Sequence, residues 1–144
     1  MAETITVTGL KDVQRKLYAY SQQLGDRVVL GALRQGANLV KRAAQSNAPI
    51  RTGKLKRGIR VSRSKIHRGR MSGDLIGVYL SLRKGKDGPF YGRFQEDGWR
   101  AGKTLVPGKK FIDQAFIDKR AEALDLIVRT STAGADLLAR KLGL

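Results

Sequence analysis

The sequence predicts an α+β fold: a small antiparallel sheet packed against two N-terminal helices and a long C-terminal helix, in a single domain spanning residues 1–144. Three observations carry this expectation. Apolar residues recur at helical spacing between Leu10 and Ala44 and again between Ile112 and Leu142. They alternate at period two around Ile59–Val61 and Ile76–Leu82. No internal repeat, low-complexity tract or shift of composition divides the 144 residues. A chain of this length can enclose a core without covalent staples.

Taken in order, Glu3–Thr8 alternates β-branched residues and ends at Gly9, which predicts a short strand. Leu10, Val13, Leu17, Tyr20 and Leu24 then form the stripe of an amphipathic helix, with Gly25 placed to close it and Asp26 to cap the next. The second helix carries Val29, Leu33, Ala37, Val40 and Ala44 on one face, with Gly36 where another backbone can approach closely, and Pro49 ends it after about Asn47. Thr52 is placed to cap a short turn through Lys54–Arg57. Two strands follow, around Ile59–Val61 and Ile76–Leu82, joined by a basic hairpin loop around residues 66–74. Lys84–Pro89 reads as a turn, Phe90–Gly98 as a short helix closed by Gly98, and Trp99–Val106 as loop or strand. After Pro107-Gly108, Ile112, Phe116, Leu124 and Ile127 follow helical spacing. Ala135, Leu138 and Leu142 predict a last helix beyond Thr130–Gly134. The expected core includes Leu33, Val40, Ile76, Val78, Phe111 and Phe116.

Charge is the strongest compositional signal. Lys and Arg number 29 against 12 Asp and Glu, a formal net charge of +17. Between Asp26 and Asp74 there is no acidic residue, yet thirteen Lys and Arg fall there. The densest part holds Arg51, Lys54, Lys56, Arg57, Arg60, Arg63, Lys65, Arg68 and Arg70, interleaved with Leu55, Ile59, Val61 and Ile66. Interleaved apolar residues mark a folded element. Its functional reading is a surface that contacts phosphates or an acidic partner; its bland reading is a solvated face or a subunit interface. Without aromatic or base-reading side chains among the charges, any nucleic-acid contact is expected to be sequence-independent.

Catalytic readings fail one by one. There is no cysteine and one histidine, His67, set among cations with no nearby carboxylate to orient it, so thiolate and histidine chemistry is not expected. Gly98-Trp-Arg-Ala-Gly102-Lys103-Thr104 is similar to a phosphate-binding loop, but only three residues separate its glycines and Asp97 stands where the first glycine belongs. Glu96 and Asp97 are adjacent and point to different sides of any regular element, so capping, or pairing with Arg93 or Arg100, is their expected use. No enzyme activity, cofactor or metal is expected. The N-terminus lacks the basic start and apolar run of a signal peptide, and no stretch is apolar enough to span a membrane, so synthesis and folding in the cytoplasm are expected.

Four stretches resemble, in order, the tail-completion or neck proteins of long-tailed bacteriophages and prophages. The first is Gly9–Leu17 with the Ala-rich helix Leu33–Ala44. The second is Ala48-Pro49-Ile50-Arg51-Thr52-Gly53-Lys54-Leu55 running on to Ile59. The third is the aromatic-to-Glu-x-Gly stretch Tyr91–Glu96–Gly98, and the fourth is Pro107–Phe111–Ala115 opening the last helix. The chain departs from the pattern where Lys109 and Lys110 separate Pro107-Gly108 from Phe111, and beyond Ser131 nothing matches. The resemblance implies a structural virion protein at the neck or tail end, assembled in the host cytoplasm. It implies a ring, with six copies expected from tail symmetry, that joins the capsid portal to the tail tube around the DNA channel. Its partners would be further copies of itself, a portal-side connector and tail-tube or tail-terminator proteins, with phosphate-backbone contact to packaged DNA, and no membrane. The cations from Arg51 to Arg70 would then face either the DNA or an acidic neighbouring ring. The rival class, supported by charge alone, is a free sequence-independent nucleic-acid-binding protein.

Overall fold

A computed structural model describes residues 10–50, 53–63, 77–83 and 91–144. Helix α1 spans Leu10–Gln23 and α2 spans Leu30–Asn47, and a π-helical turn at Leu24–Val29 joins them without a break. Gly25 and Asp26 therefore lie inside a continuous helix, where a stop and a cap were expected. The wider turn takes up extra chain without ending the helix and shifts the faces of the two parts relative to each other. Val28 of this turn packs on Gly134 of the C-terminal helix. At the far end Ala48 takes an extended conformation (ψ 135°), as the residue before Pro49 must, and its N–H still reaches the Ala44 carbonyl at 2.9 Å.

A short helix α3, Lys54–Gly58, starts from Gly53 in the left-handed region (φ 69°) and feeds directly into β1, Ile59–Arg63. Strand β1 pairs antiparallel with β2, Val78–Leu82, in the register Ile59 to Leu82 and Arg63 to Val78. Helix α4, Gly92–Asp97, leads into a second hairpin, β3 (Gly98–Ala101) with β4 (Thr104–Pro107). Helix α5 runs from Phe111 to Leu142. The α+β class holds, with the expected single sheet divided into two separate two-stranded ones. Only the first rests on α2. The strand expected at Glu3–Thr8, the cap at Thr52, the basic loop around 66–74 and the turn at Lys84–Pro89 lie outside the described residues.

The core is where α2 and α5 cross, closed by α3 and β1. Val40, Ala44, Ala48, Leu55, Ile59, Phe111, Ala115 and Ala123 form one buried cluster, with Leu80, Leu82 and Tyr91 packed against it. The two helices meet through small residues. A Cβ on Gly36 would lie 2.5 Å from Ile127 Cγ1 and 3.1 Å from the Ala123 carbonyl oxygen, so the two helices approach closely there, as the sequence indicated.

Three expectations are corrected. Helix α5 is unbroken through Thr130–Gly134, where the hydroxyls of Thr130 and Thr132 turn back to the carbonyls of Leu126 (2.7 Å) and Val128 (2.8 Å) four residues earlier instead of capping a new helix. Its buried face is Phe111, Ala115, Ala123 and Leu138, whereas Phe116, expected in the core, and Leu124, of the same helical spacing, are exposed. Along the middle of α5, close approach to α2 selects the small Ala115 and Ala123 for the contact and leaves Phe116 and Leu124 to the side. On α1, Val13 and Leu17 of the apolar stripe are exposed as well, while Tyr20 and Leu24 are half-buried. Of the remaining expected core residues, Val40 is buried, Leu33 and Val78 are half-buried, and Ile76 lies outside the described residues.

Candidate assembly surfaces

The motif residues that carry the resemblance converge on the interior. Ala48, Leu55 and Ile59 of the second stretch meet Phe111 and Ala115 of the fourth in the same buried cluster. Glu96 of the third stretch is the one buried charged side chain among the described residues. Its carboxylate oxygens accept the backbone N–H groups of Ile112 (3.0 Å) and Asp113 (3.1 Å), the second and third residues of α5. A helix start leaves such donors unpartnered and carries partial positive charge, so a carboxylate satisfies both at once. Lys110, just before the helix, has φ 45° and offers no side-chain cap, which leaves the task to Glu96. Capping was foreseen for this acidic pair, but not its target, because a partner sixteen residues away leaves no local pattern. Asp97 pairs with Arg93 at 3.4 Å in the open, a contact of little energetic weight.

The junction is reinforced by two glycines. Gly98 (φ 85°) and Gly108 cross so closely that a Cβ on Gly108 would collide with the Glu96 carbonyl oxygen and lie 2.5 Å from the Gly98 nitrogen. Lys109 and Lys110 donate backbone hydrogen bonds to the Gln95 (2.7 Å) and Glu96 (3.2 Å) carbonyls across the same crossing. Thus the base of the β3–β4 hairpin is clasped to the start of α5.

Of the expected basic surface, Lys54, Lys56 and Arg57 project from α3 and Arg60 and Arg63 from β1, all of them exposed. Strand alternation puts Arg60 on the opposite face of β1 from Arg63, so the cations surround this edge of the fold rather than cover one plane. Arg51, Lys65, Arg68 and Arg70 lie outside the described residues, as does His67. The Gly102-Lys103-Thr104 stretch is the tip of the β3–β4 hairpin, leading from one strand into another and not into a helix. Among the described residues no three His, Cys, Asp or Glu side chains are grouped to hold a metal ion, and no helix is long and apolar enough to cross a membrane.

Two apolar features remain open. A groove of about 350 Å³ runs between α2, α5 and β2, lined by Leu33, Val40, Tyr79, Leu80, Phe116 and Ile127, with Asp113 at its rim. Phe116 is 58% exposed there. The second feature is the β3–β4 hairpin, on which Trp99 and Leu105 are 40% and 70% exposed. Sequence reading missed both, since helical spacing does not say which of two apolar faces meets the core.

The motif residues thus form the core and leave charge and apolar surface outside. Residues 11–98, more than half of the chain, match the family model described as "Bacteriophage HK97-gp10, putative tail-component". The protein belongs to this family of bacteriophage tail components. No curated protein and no solved structure shows a significant match to the chain.

Proposed function

We propose that this tail component is a non-enzymatic ring subunit at the neck or tail end, joining the portal side to the tail tube around the DNA channel. The ring, with six copies as first expectation, presents the α3–β1 edge to the DNA phosphates. The observation that supports this reading is the placement of charge. Lys54, Lys56, Arg57, Arg60 and Arg63 are exposed on one edge of the fold, in a stretch with no acidic residue from 27 to 73. Such an edge holds phosphate backbone without reading sequence, which a passage for any DNA requires. Family membership favours this over the free nucleic-acid-binding protein, which charge alone supports.

The test is complementation of a phage lacking this protein. Reversing Lys54, Lys56 and Arg60 to Glu removes three positive charges and adds three negative ones at exposed positions, so the subunit still folds. Joined particles counted in micrographs are expected to fall at least about tenfold, because misplaced like charge costs several kcal/mol. His67→Ala is expected to leave joining near normal. Normal joining with the triple reversal overturns the channel reading.

A further inference from the structure

We infer that the β3–β4 hairpin of one copy docks into the α2–α5–β2 groove of a second copy, head to tail, as the repeating contact of the ring; the inference rests on the ring reading above. The hairpin is built to be held by something else. Beyond the pairing of its strands and the clasp at its base, the hairpin's main contact is that of β3 with the adjoining α4, and two strands alone are marginal in water. The register pairs Trp99 with Val106 and Arg100 with Leu105, so the exposed Trp99 and Leu105 stand on opposite faces. A hairpin apolar on both faces suits a groove with two walls, here α2 and α5 on one side and β2 on the other. The clasp at Gly98 and Gly108 fixes its departure from the fold, so little freedom is lost on docking.

Charge identifies the occupant as a second copy. Residues 98–110 carry Arg100, Lys103, Lys109 and Lys110 and no acid. Of the acids in α5, Asp113 is the charged side chain that lines the groove, whereas Glu122 pairs with Lys119 (2.7 Å) and Asp125 with Arg129 (2.9 Å). In a chain of net charge +17 the groove thus carries a negative charge of its own. Apolar anchors flanked by complementary charge give both affinity and register. Because hairpin and groove are different surfaces, each docked copy still offers one of each, the property that builds a ring.

The chain provides its own probes. Trp99 is the sole tryptophan and there is no cysteine. As the purified protein is concentrated, oligomers are expected to form with a blue shift of Trp99 emission, and Phe116→Asp is expected to suppress both while circular dichroism stays unchanged. Independently, oxidising a mixture of Leu105→Cys and Phe116→Cys chains is expected to give a disulfide-linked dimer. A chain carrying both substitutions should give a ladder, and Leu105→Cys with Ser46→Cys should give neither. Oligomers that form without the emission shift and without the Leu105–Phe116 link overturn this contact and leave the ring reading standing. A chain that stays monomeric at every concentration and on tail tubes overturns both.

Discussion

Phe111 and Phe116 lie five positions apart on α5 and look alike in sequence, yet the first is 2% exposed and the second 58%. The difference makes a pair of opposite outcomes. Phe111→Ala is expected to cost about 3–5 kcal/mol, as for a fully enclosed aromatic. Phe116→Ala is expected to cost under about 1 kcal/mol in the free subunit, since surface changes seldom exceed that. Urea titration of both variants checks this, and equal losses would mean that Phe116 is enclosed after all. Glu96 gives the second prediction at this scale. Removing its carboxylate leaves the Ile112 and Asp113 N–H groups without their acceptor at a part-buried helix start. Glu96→Ala is therefore expected to lower stability by about 1–3 kcal/mol, with Glu96→Gln losing less because one acceptor oxygen remains. A urea midpoint unchanged by Glu96→Ala would show that solvent replaces the cap.

At the scale of elements, the Gly98–Gly108 crossing couples α4, the second hairpin and the start of α5. An added Cβ on Gly108 meets backbone atoms, which cannot rotate away, whereas one on Gly36 meets mainly the Ile127 side chain, which borders the open groove. Gly108→Ala is thus expected to destabilise at or above the top of the usual overpacking range of about 1–3 kcal/mol, and Gly36→Ala near its bottom. Thermal melts of the two variants test the order, and the reverse order would mean that the helix crossing is the tighter joint. The same elements show what a sequence can reveal. Helix α2, its buried Val40 and Ala44, the end at Pro49, the register-forming strands and the closing Gly98 all follow from local spacing and turn chemistry. The π-helical join at Leu24–Val29 does not, because Gly25-Asp26 carries the same signal whether a helix stops or only widens. Nor does the buried face of α5. Two apolar faces share its helical period, and only the approach of α2 at Gly36 decides that Ala115 and Ala123 turn inward. The basic edge was legible as charge, while the groove and the projecting hairpin exist only once α2, α5 and β2 are in place.

For the whole molecule, a net charge of +17 sets two kinds of contact against each other. Contacts of the basic edge with phosphates are made by displacing counterions, so they weaken as salt is added, with a logarithmic slope of about −0.9 per phosphate neutralised. If the five described cations Lys54, Lys56, Arg57, Arg60 and Arg63 each meet one phosphate, raising salt from about 0.1 to about 0.5 M lowers duplex binding roughly a thousandfold. Copy-to-copy docking of Trp99 and Leu105 into the groove is mainly apolar, and like-charged subunits repel each other less once the screening length shrinks from about 10 Å at 0.1 M toward 3 Å at 1 M. The two contacts therefore respond to salt with opposite sign: DNA binding is expected to collapse across a range in which oligomers persist or grow. Sedimentation velocity of the protein alone, beside fluorescence anisotropy with a short duplex in the same buffers, measures both. Oligomers that dissolve in step with the loss of DNA binding would mean that charge, and not the burial of Trp99 and Leu105, holds the copies together.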